Sequence, residues 1–167
     1  ACAGVPGRME YIDSGQTFDV VVDYAHTGDA VRKVLTVLRD ITKGNLIIVV
    51  GAAGERDPGR RFGVARAAVE NADFAIFTNE DPRSENPKKI VQEIGSHAVG
   101  AGKVRGEDFL EVSDRRLAIA TALEHAKPTD LVVICGKGHE LSMELNDQFV
   151  PWDDREVVRQ EMARLLE

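Results

Sequence analysis

Four short apolar runs recur along the chain of 167 residues, and each is rich in β-branched, leucine or aromatic residues. A run that is apolar at successive positions is typical of a β-strand buried on both faces, because a half-buried strand alternates apolar with polar residues. The segments between the runs repeat their apolar positions with helical spacing. The predicted strands are residues 20–22, 46–50, 74–77 and 131–135, and the predicted helices include residues 30–38, 64–69, 90–99 and 117–125.

Strands that alternate with helices predict an α/β fold with an open, mostly parallel sheet and helices on both faces. The length suits one domain, and the sequence shows neither an internal repeat nor a low-complexity tract. We therefore expect residues 1–167 to form a single domain. The segment from Gly4 to Gly7 is typical of the end of a linker from an upstream region.

Two turn signals predict β-hairpins added to this sheet. A Ser-Gly pair and an Asn-Asp pair each lie between short strand-like segments, and such pairs favour tight turns. A final helix is predicted to begin after Asp153, whose side chain can accept from exposed amides while Glu156 completes a capping box. The predicted hairpins join residues 9–12 to 16–18 and residues 141–145 to 148–150.

Charge and cysteine content narrow the classes of partner and site. The chain has 21 basic and 28 acidic residues, a net charge of -7, and no block of Lys or Arg, so neither nucleic acid nor a membrane surface is expected as a partner. Its apolar runs are too short to span a bilayer. Cys2 and Cys135 lie far apart, which predicts no disulfide framework and a reducing, cytoplasmic compartment. The four histidines lack metal-ligand spacing, so no metal site is predicted.

Charged, glycine-rich loops follow all four predicted strands. Ligands of open α/β sheets bind outside the carboxyl ends of the strands, so we expect these loops to share one rim. Arginine forks suit carboxylates or phosphates, and acidic side chains suit ammonium groups. The rim is therefore predicted to bind a zwitterion such as an amino acid, with solvated surface ion pairs as the alternative role of each arginine. The charged candidates are Arg56, Glu80, Asp81, Arg83 and Glu140.

Two nucleotide-binding motifs are rejected on their residues. Residues 54–61 have the glycine spacing of a P-loop, but Arg60 and Arg61 replace its Lys and Ser/Thr. Residues 136–141 begin like a dinucleotide fingerprint, but Leu141 replaces the third glycine. His26 follows a predicted strand, and its role stays open between acid–base chemistry or stacking on a ligand and capping of the next helix.

Five motifs, in this order along the chain, resemble the carboxyl-terminal domain of the Mur ligases. The resemblance covers essentially the whole chain and is closest to the members that add the diamino acid of the peptidoglycan stem peptide. The D-Y-A-H motif alone is shared with folylpolyglutamate and cyanophycin synthetases. The motifs are V-P-G-R-M-E at 5–10, D-Y-A-H at 23–26, G-E-R-D at 54–57, D-P-R-S-E at 81–85 and G-K-G-H-E at 136–140.

The resemblance implies a Rossmann-like fold and a three-domain, ATP-dependent amide ligase. A UDP-sugar domain and a central ATPase domain would precede this one, and both are absent from these residues. ATP and Mg²⁺ would then be bound mainly outside this chain, and the chain alone is expected to be inactive. The implied partners are a diamino acid, ATP and, through the other domains, UDP-N-acetylmuramoyl-L-Ala-D-Glu.

The family's functional positions can be carried over residue by residue. None is a covalent catalyst. The alternatives are a ligase similar to folylpolyglutamate or cyanophycin synthetase, and a stand-alone amino-acid-binding module without catalysis. The resemblance implies that Arg56, Glu80, Asp81, Pro82, Arg83, Gly136 and Glu140 bind the diamino acid, and that Arg8, Asp23 and His26 face the ribose and base of ATP.

One motif departs from the family pattern. Members that add meso-diaminopimelate usually read D-N-P-R and those that add L-lysine often read D-D-P-N, whereas residues 80–83 read E-D-P-R. Arg83 favours a distal carboxylate, and Asp81 favours a distal ammonium without a carboxylate beside it. The identity of the diamino acid stays open between meso-diaminopimelate and L-lysine, with meso-diaminopimelate favoured.

Overall fold

The computed structural model describes residues 5–167 and contains one six-stranded sheet, one two-stranded sheet and five helices in that part of the chain. The strands are β1 (Glu10–Tyr11), β2 (Asp19–Asp23), β3 (Leu46–Ala52), β4 (Phe74–Asn79), β5 (Phe109–Glu111), β6 (Leu131–Cys135), β7 (Ser142–Leu145) and β8 (Gln148–Pro151). The helices are α1 (Gly28–Ile41), α2 (Gly59–Asn71), α3 (Pro87–Gly100), α4 (Arg115–His125) and α5 (Asp154–Leu166).

The large sheet has the order β1-β2-β6-β3-β4-β5, and all its neighbouring pairs are parallel except β1 with β2. The four predicted strands became β2, β3, β4 and β6. These four lie side by side at the centre of the sheet, where both faces are covered. The predicted α/β fold with an open, mostly parallel sheet is confirmed.

Two apolar cores flank the sheet, which explains why its strands are apolar at every position. In β3, Ile48 and Val50 pack with α1, α2 and α3, whereas Ile47 and Val49 pack with α4 and α5. Alternate residues of a strand point to opposite faces, so a strand buried on both sides needs apolar residues throughout. The prediction of helices on both faces is confirmed.

The two predicted hairpins have different outcomes. The second is confirmed: β7 pairs antiparallel with β8, and the turn residues Asn146 and Asp147 have φ values of 50° and 57°. The first is wrong in its pairing, because Glu10 lies opposite Val22 of β2 and not opposite residues 16–18. Pairing with β2 makes β1 an antiparallel edge of the main sheet, where it completes hydrogen bonds that β2 would otherwise leave to water.

The start of α5 is confirmed and its capping box is corrected. The Asp153 side chain accepts a hydrogen bond from the backbone N–H of Arg155 at 2.9 Å. Glu156 accepts from the Gln160 side chain at 3.0 Å, one helical turn on, and not from the Asp153 amide. The helix therefore begins with a single side-chain cap.

Three further features bear on the sequence predictions: strand β5, the two cysteines and the lengths of the helices. Strand β5 was not predicted, since three residues give too little periodicity to detect. Cys2 and the Gly4 end of the predicted linker lie outside the described residues, whereas Cys135 is a buried free thiol. From residue 5 onward, none of the helices has both the length and the apolar character needed to cross a membrane.

Candidate functional site

The loops that follow β2, β3, β4 and β6 meet at the carboxyl edge of the sheet. The Gly136 amide donates to the Asp23 carbonyl at 3.2 Å, and the Gly54 amide donates to the Asp81 carbonyl at 2.8 Å. The first bond joins the loops after β2 and β6, and the second joins those after β3 and β4. Because these strands are parallel neighbours, their ends lie at one rim, as the sequence predicted.

A buried lysine links two of these loops. The Lys137 side chain donates to both carboxylate oxygens of Asp81, at 2.8 and 2.9 Å, and lies 2.5 Å from a Glu140 oxygen. Lys137 is only 1% exposed. Asp81 also accepts a bond from the Glu144 amide at 2.8 Å. Two carboxylates predicted to bind substrate are therefore held by a cation from the protein itself.

Arg83 is fixed beside this cluster by the second hairpin. Its Nε donates to the Glu144 carboxylate at 3.0 Å and its Nη1 donates to the Gly54 carbonyl at 3.2 Å. Its backbone amide donates to the Glu144 carbonyl at 3.1 Å, and its carbonyl accepts from Asn146 at 2.8 Å. Within residues 5–167 the Nη2 group has no protein hydrogen bond, so it can donate to a ligand carboxylate.

Glu80 is buried without a hydrogen-bonding partner for its Oε2 atom among the described residues. Burial raises the pKa of this carboxyl to about 7, with Asp81 and Glu140 adding to the increase and Arg115 and Lys137 opposing it. The same oxygen lies close to the backbone at Gly136, whose φ is 119° and where a Cβ atom would be 2.9 Å from Oε2. Only glycine accommodates both conditions there.

The other predicted diamino acid residues differ in placement. Arg56 is exposed, and its side chain has neither an ion pair nor a hydrogen bond within residues 5–167. Pro82 is buried, and its carbonyl accepts from the Glu85 amide at 3.0 Å. The structure thus joins Asp81 and Glu140 through the Lys137 side chain and connects Arg83 to Asp81 through Glu144, whereas Arg56 lies outside this network on the adjacent loop.

The predicted nucleotide residues surround Tyr24. The Arg8 guanidinium lies over the Tyr24 ring at 4.9 Å, and the His26 ring centre is 4.7 Å from it. The Asp23 oxygens accept from the amides of Met9 and Ala25, each at 2.8 Å. Asp23 therefore holds the segment before β1 against the rim, and its carboxylate has remaining lone pairs that can accept from a ligand hydroxyl.

The structure settles one of the alternatives for His26. The helix-capping role belongs to Thr27, whose hydroxyl accepts from the Ala30 amide at 3.3 Å at the start of α1. The His26 Nδ1 atom is 2.9 Å from the Tyr24 carbonyl. Since a carbonyl oxygen only accepts, Nδ1 carries the proton, and Nε2 is left to interact with a ligand.

Three residues of this edge were missed by sequence reasoning as site residues. The first is Lys137, whose signal was a lysine between two glycines at a strand end. The second is Tyr24, whose hydroxyl donates to Glu140 at 3.3 Å. The third is Arg115 of α4, which donates to Asp154 at 2.9 and 2.6 Å. Nothing local in the sequence identifies Arg115, because its partners are 36, 20 and 39 residues away.

A cavity also lies away from the rim. A cavity of about 430 Å³ between α4 and α5 is lined by Leu117, Leu123 and Leu165 among others, and none of the predicted site residues lines it. The rim itself offers a free guanidinium N–H group, a carboxyl without a donor and a shared cation. This combination can bind a molecule that carries both carboxylate and ammonium groups.

Comparison with known proteins places the sequence among related ligases. The profile described as "Mur ligase, glutamate ligase domain" matches residues 7–138. The UDP-N-acetylmuramyl-tripeptide synthetase of Roseiflexus sp. (strain RS-1) is 45% identical over 162 residues, 97% of this chain and 32% of that protein. The UDP-N-acetylmuramoyl-L-alanyl-D-glutamate--2,6-diaminopimelate ligase of Geobacillus thermodenitrificans (strain NG80-2) is 43% identical over 155 residues, 93% of this chain and 31% of that protein.

Structural comparison agrees with the sequence comparison. A solved UDP-N-acetylmuramoyl-L-alanyl-D-glutamate--2,6-diaminopimelate ligase superposes with a TM-score of 0.86 and 36% sequence identity. The superposition covers 99% of this chain and 33% of the solved chain. The chain therefore spans about a third of the length of the relatives it matches.

Proposed function

Since the chain belongs to the Mur ligase family through its glutamate ligase domain, we propose that it is the amino-acid-binding part of an ATP-dependent peptidoglycan ligase. The complete enzyme would add a diamino acid to UDP-N-acetylmuramoyl-L-Ala-D-Glu in the cytoplasm. The names of the relatives support this substrate over folate or cyanophycin precursors. The observation that carries the proposal is the rim on which Arg83 keeps a free N–H group beside the Lys137, Asp81 and Glu140 cluster.

We propose meso-diaminopimelate as the amino acid. The Asp81 carboxylate already accepts hydrogen bonds from Lys137 and from the Glu144 amide. It therefore has little capacity left to bind a distal ammonium group. Arg83 retains the group that a distal carboxylate needs. Glu140 also pairs with Lys137, but its side chain is 35% exposed against 18% for Asp81, so it is the carboxylate best placed to accept from an ammonium group.

The role of these residues is to bind and orient the diamino acid. ATP and Mg²⁺ would activate the dipeptide carboxylate when bound, and Arg8, Asp23 and His26 are the residues of this chain proposed to contact the nucleotide. Within residues 5–167, no group of three or more His, Cys, Asp or Glu side chains could hold a metal ion; we propose that ATP and Mg²⁺ are bound mainly by the other domains of the enzyme. Orientation of an amine beside an activated carboxylate can lower a barrier by roughly 7 to 11 kcal/mol.

The test is Arg83→Ala in the longer ligase that carries this domain. We expect kcat/KM for meso-diaminopimelate to fall roughly 10- to 150-fold. This corresponds to about 1.5 to 3 kcal/mol of lost stabilisation, because a charged hydrogen bond is removed. The KM for ATP should stay unchanged.

Two controls accompany this variant. Arg39→Ala removes an arginine from an exposed ion pair at the other edge of the sheet and should change neither parameter. The 167-residue chain by itself should not hydrolyse ATP. An equal loss in the use of ATP and of the diamino acid by Arg83→Ala, or ATP turnover by the isolated chain, would contradict the proposal.

A further inference from the structure

We propose that Lys137 determines which diamino acid the rim accepts, by neutralising Asp81 so that Arg83 can receive a distal carboxylate. This inference rests on the proposed function and adds a specificity role for a residue outside the predicted site. Lys137 acts through Asp81 and is therefore a positioning residue. It changes the net charge that a ligand meets beside Arg83.

Asp81 and Arg83 lie in the same part of the rim, because both contact Glu144. The Glu144 amide donates to Asp81 at 2.8 Å, while the Glu144 carboxylate accepts from Arg83 at 3.0 Å. A ligand carboxylate at the free Arg83 N–H would thus lie near Asp81. An uncompensated charge on Asp81 would repel that carboxylate and attract a lone ammonium.

Lys137 is held so that it compensates Asp81 and cannot turn to solvent. Its side chain is 2% exposed, against 18% for Asp81, so the pair lies where water screens charge weakly. The backbone on each side is also fixed, since Gly136 and Gly138 have φ values of 119° and 52°. A Cβ at Gly138 would lie 2.6 Å from the Gly7 carbonyl oxygen, so the loop after β6 packs tightly against the segment before β1.

A purely structural ion pair would behave differently. If Lys137 only stabilised the loop, its loss would weaken the use of meso-diaminopimelate and of L-lysine alike. If it neutralises Asp81, its loss must change the two in opposite directions, because one ligand carries a distal carboxylate and the other does not. The ratio of the two kcat/KM values therefore separates the roles.

The experiment measures that ratio for Lys137→Met in the longer ligase. We expect the ratio of kcat/KM for meso-diaminopimelate to kcat/KM for L-lysine to fall by at least about tenfold, equivalent to about 1.4 kcal/mol. The double variant Asp81→Asn with Lys137→Met removes both charges of the pair. It should restore most of the wild-type ratio.

A second variant keeps the inference testable if Lys137→Met does not fold. Asp81→Asn alone leaves the lysine charge in place and should raise the ratio, because it removes a negative charge that would repel a carboxylate bound at Arg83. Arg39→Met, which breaks an exposed pair at the opposite edge, serves as the matched control and should leave the ratio at the wild-type value.

The outcomes separate this inference from the proposed function. A wild-type ligase that uses neither amino acid overturns the proposed function and the inference with it. A wild-type ligase that uses meso-diaminopimelate, with a ratio unmoved in Lys137→Met or not raised in Asp81→Asn, overturns the inference alone. Opposite changes for the two amino acids, reversed by the double variant, support it.

Discussion

The two edges of the sheet use the same residue types in opposite ways. At the amino edge, Asp130 is buried and its two oxygens accept from the amides of Asn45 and Lys127, at 2.7 and 2.9 Å. Asp73 accepts from the Leu46 amide at 2.7 Å and from Arg39 at 2.6 Å. These carboxylates join neighbouring strand starts, and their pairing stabilises the fold.

At the carboxyl edge, pairing is incomplete. Glu80 keeps a buried oxygen without a donor, and Arg83 keeps an unused N–H group. Lys137 holds two carboxylates instead of one. The difference teaches that the edge proposed to bind a ligand retains hydrogen-bonding capacity at a cost in stability, whereas the opposite edge uses that capacity within the protein.

The largest expected effect concerns a fully buried ion pair at the carboxyl edge. Arg115 is buried, binds Asp154 through two hydrogen bonds and donates to the carbonyls of Asn79 and Cys135 at 3.1 and 3.0 Å. Arg115→Met should lower the free energy of unfolding by about 3 to 5 kcal/mol, because it leaves the buried Asp154 carboxylate without its cationic partner. Urea unfolding measures this. A loss below about 1 kcal/mol would show that water reaches Asp154.

The second-largest expected effect is an increase, not a decrease, in the free energy of unfolding. The pKa of Glu80 is raised from 4.5 to about 7, so the folded state binds its proton more tightly than the unfolded state does. The resulting stability is present below pH 4.5 and is lost as the pH rises through 7. Glu80→Gln should therefore stabilise the chain at pH 8 by up to roughly 3 kcal/mol and have no such effect at pH 4.

Urea unfolding at the two pH values tests this prediction. Glu124→Gln, at an exposed position of α4, is the matched control and should show no pH-dependent gain. A gain for Glu80→Gln that is the same at both pH values would point to packing and contradict the electrostatic cause.

The smallest effect is expected at the amino edge. The Arg39 and Asp73 side chains are 39% and 45% exposed, so solvent screens their attraction. Arg39→Met should lower the free energy of unfolding by less than about 1 kcal/mol. A loss as large as that of Arg115→Met would remove the contrast between the edges.

Local patterns predicted much of this molecule. The apolar runs located β2, β3, β4 and β6, and the Asn-Asp turn located the second hairpin, because each depends on residues close in sequence. The five motifs identified the family, which the profile match confirms. The common rim also followed from sequence, since parallel neighbouring strands end at one edge.

The partners of the charged side chains could not be predicted. Lys137 and Asp81 are 56 residues apart, and Arg115 and Asp154 are 39 apart. The pairing of β1 with β2 likewise depends on which backbone groups the edge of the sheet leaves open. Each of these contacts is set by packing of distant segments, and no local pattern encodes it.

The sequence by itself determined the order of elements, the family and the set of charged residues at the strand ends. Periodicity and strand parallelism are local or topological properties, so a linear pattern carries them. Only the tertiary structure decided which of those charges cancel and which remain for a ligand. Burial and distance fix that balance, and both arise when segments far apart in the chain meet.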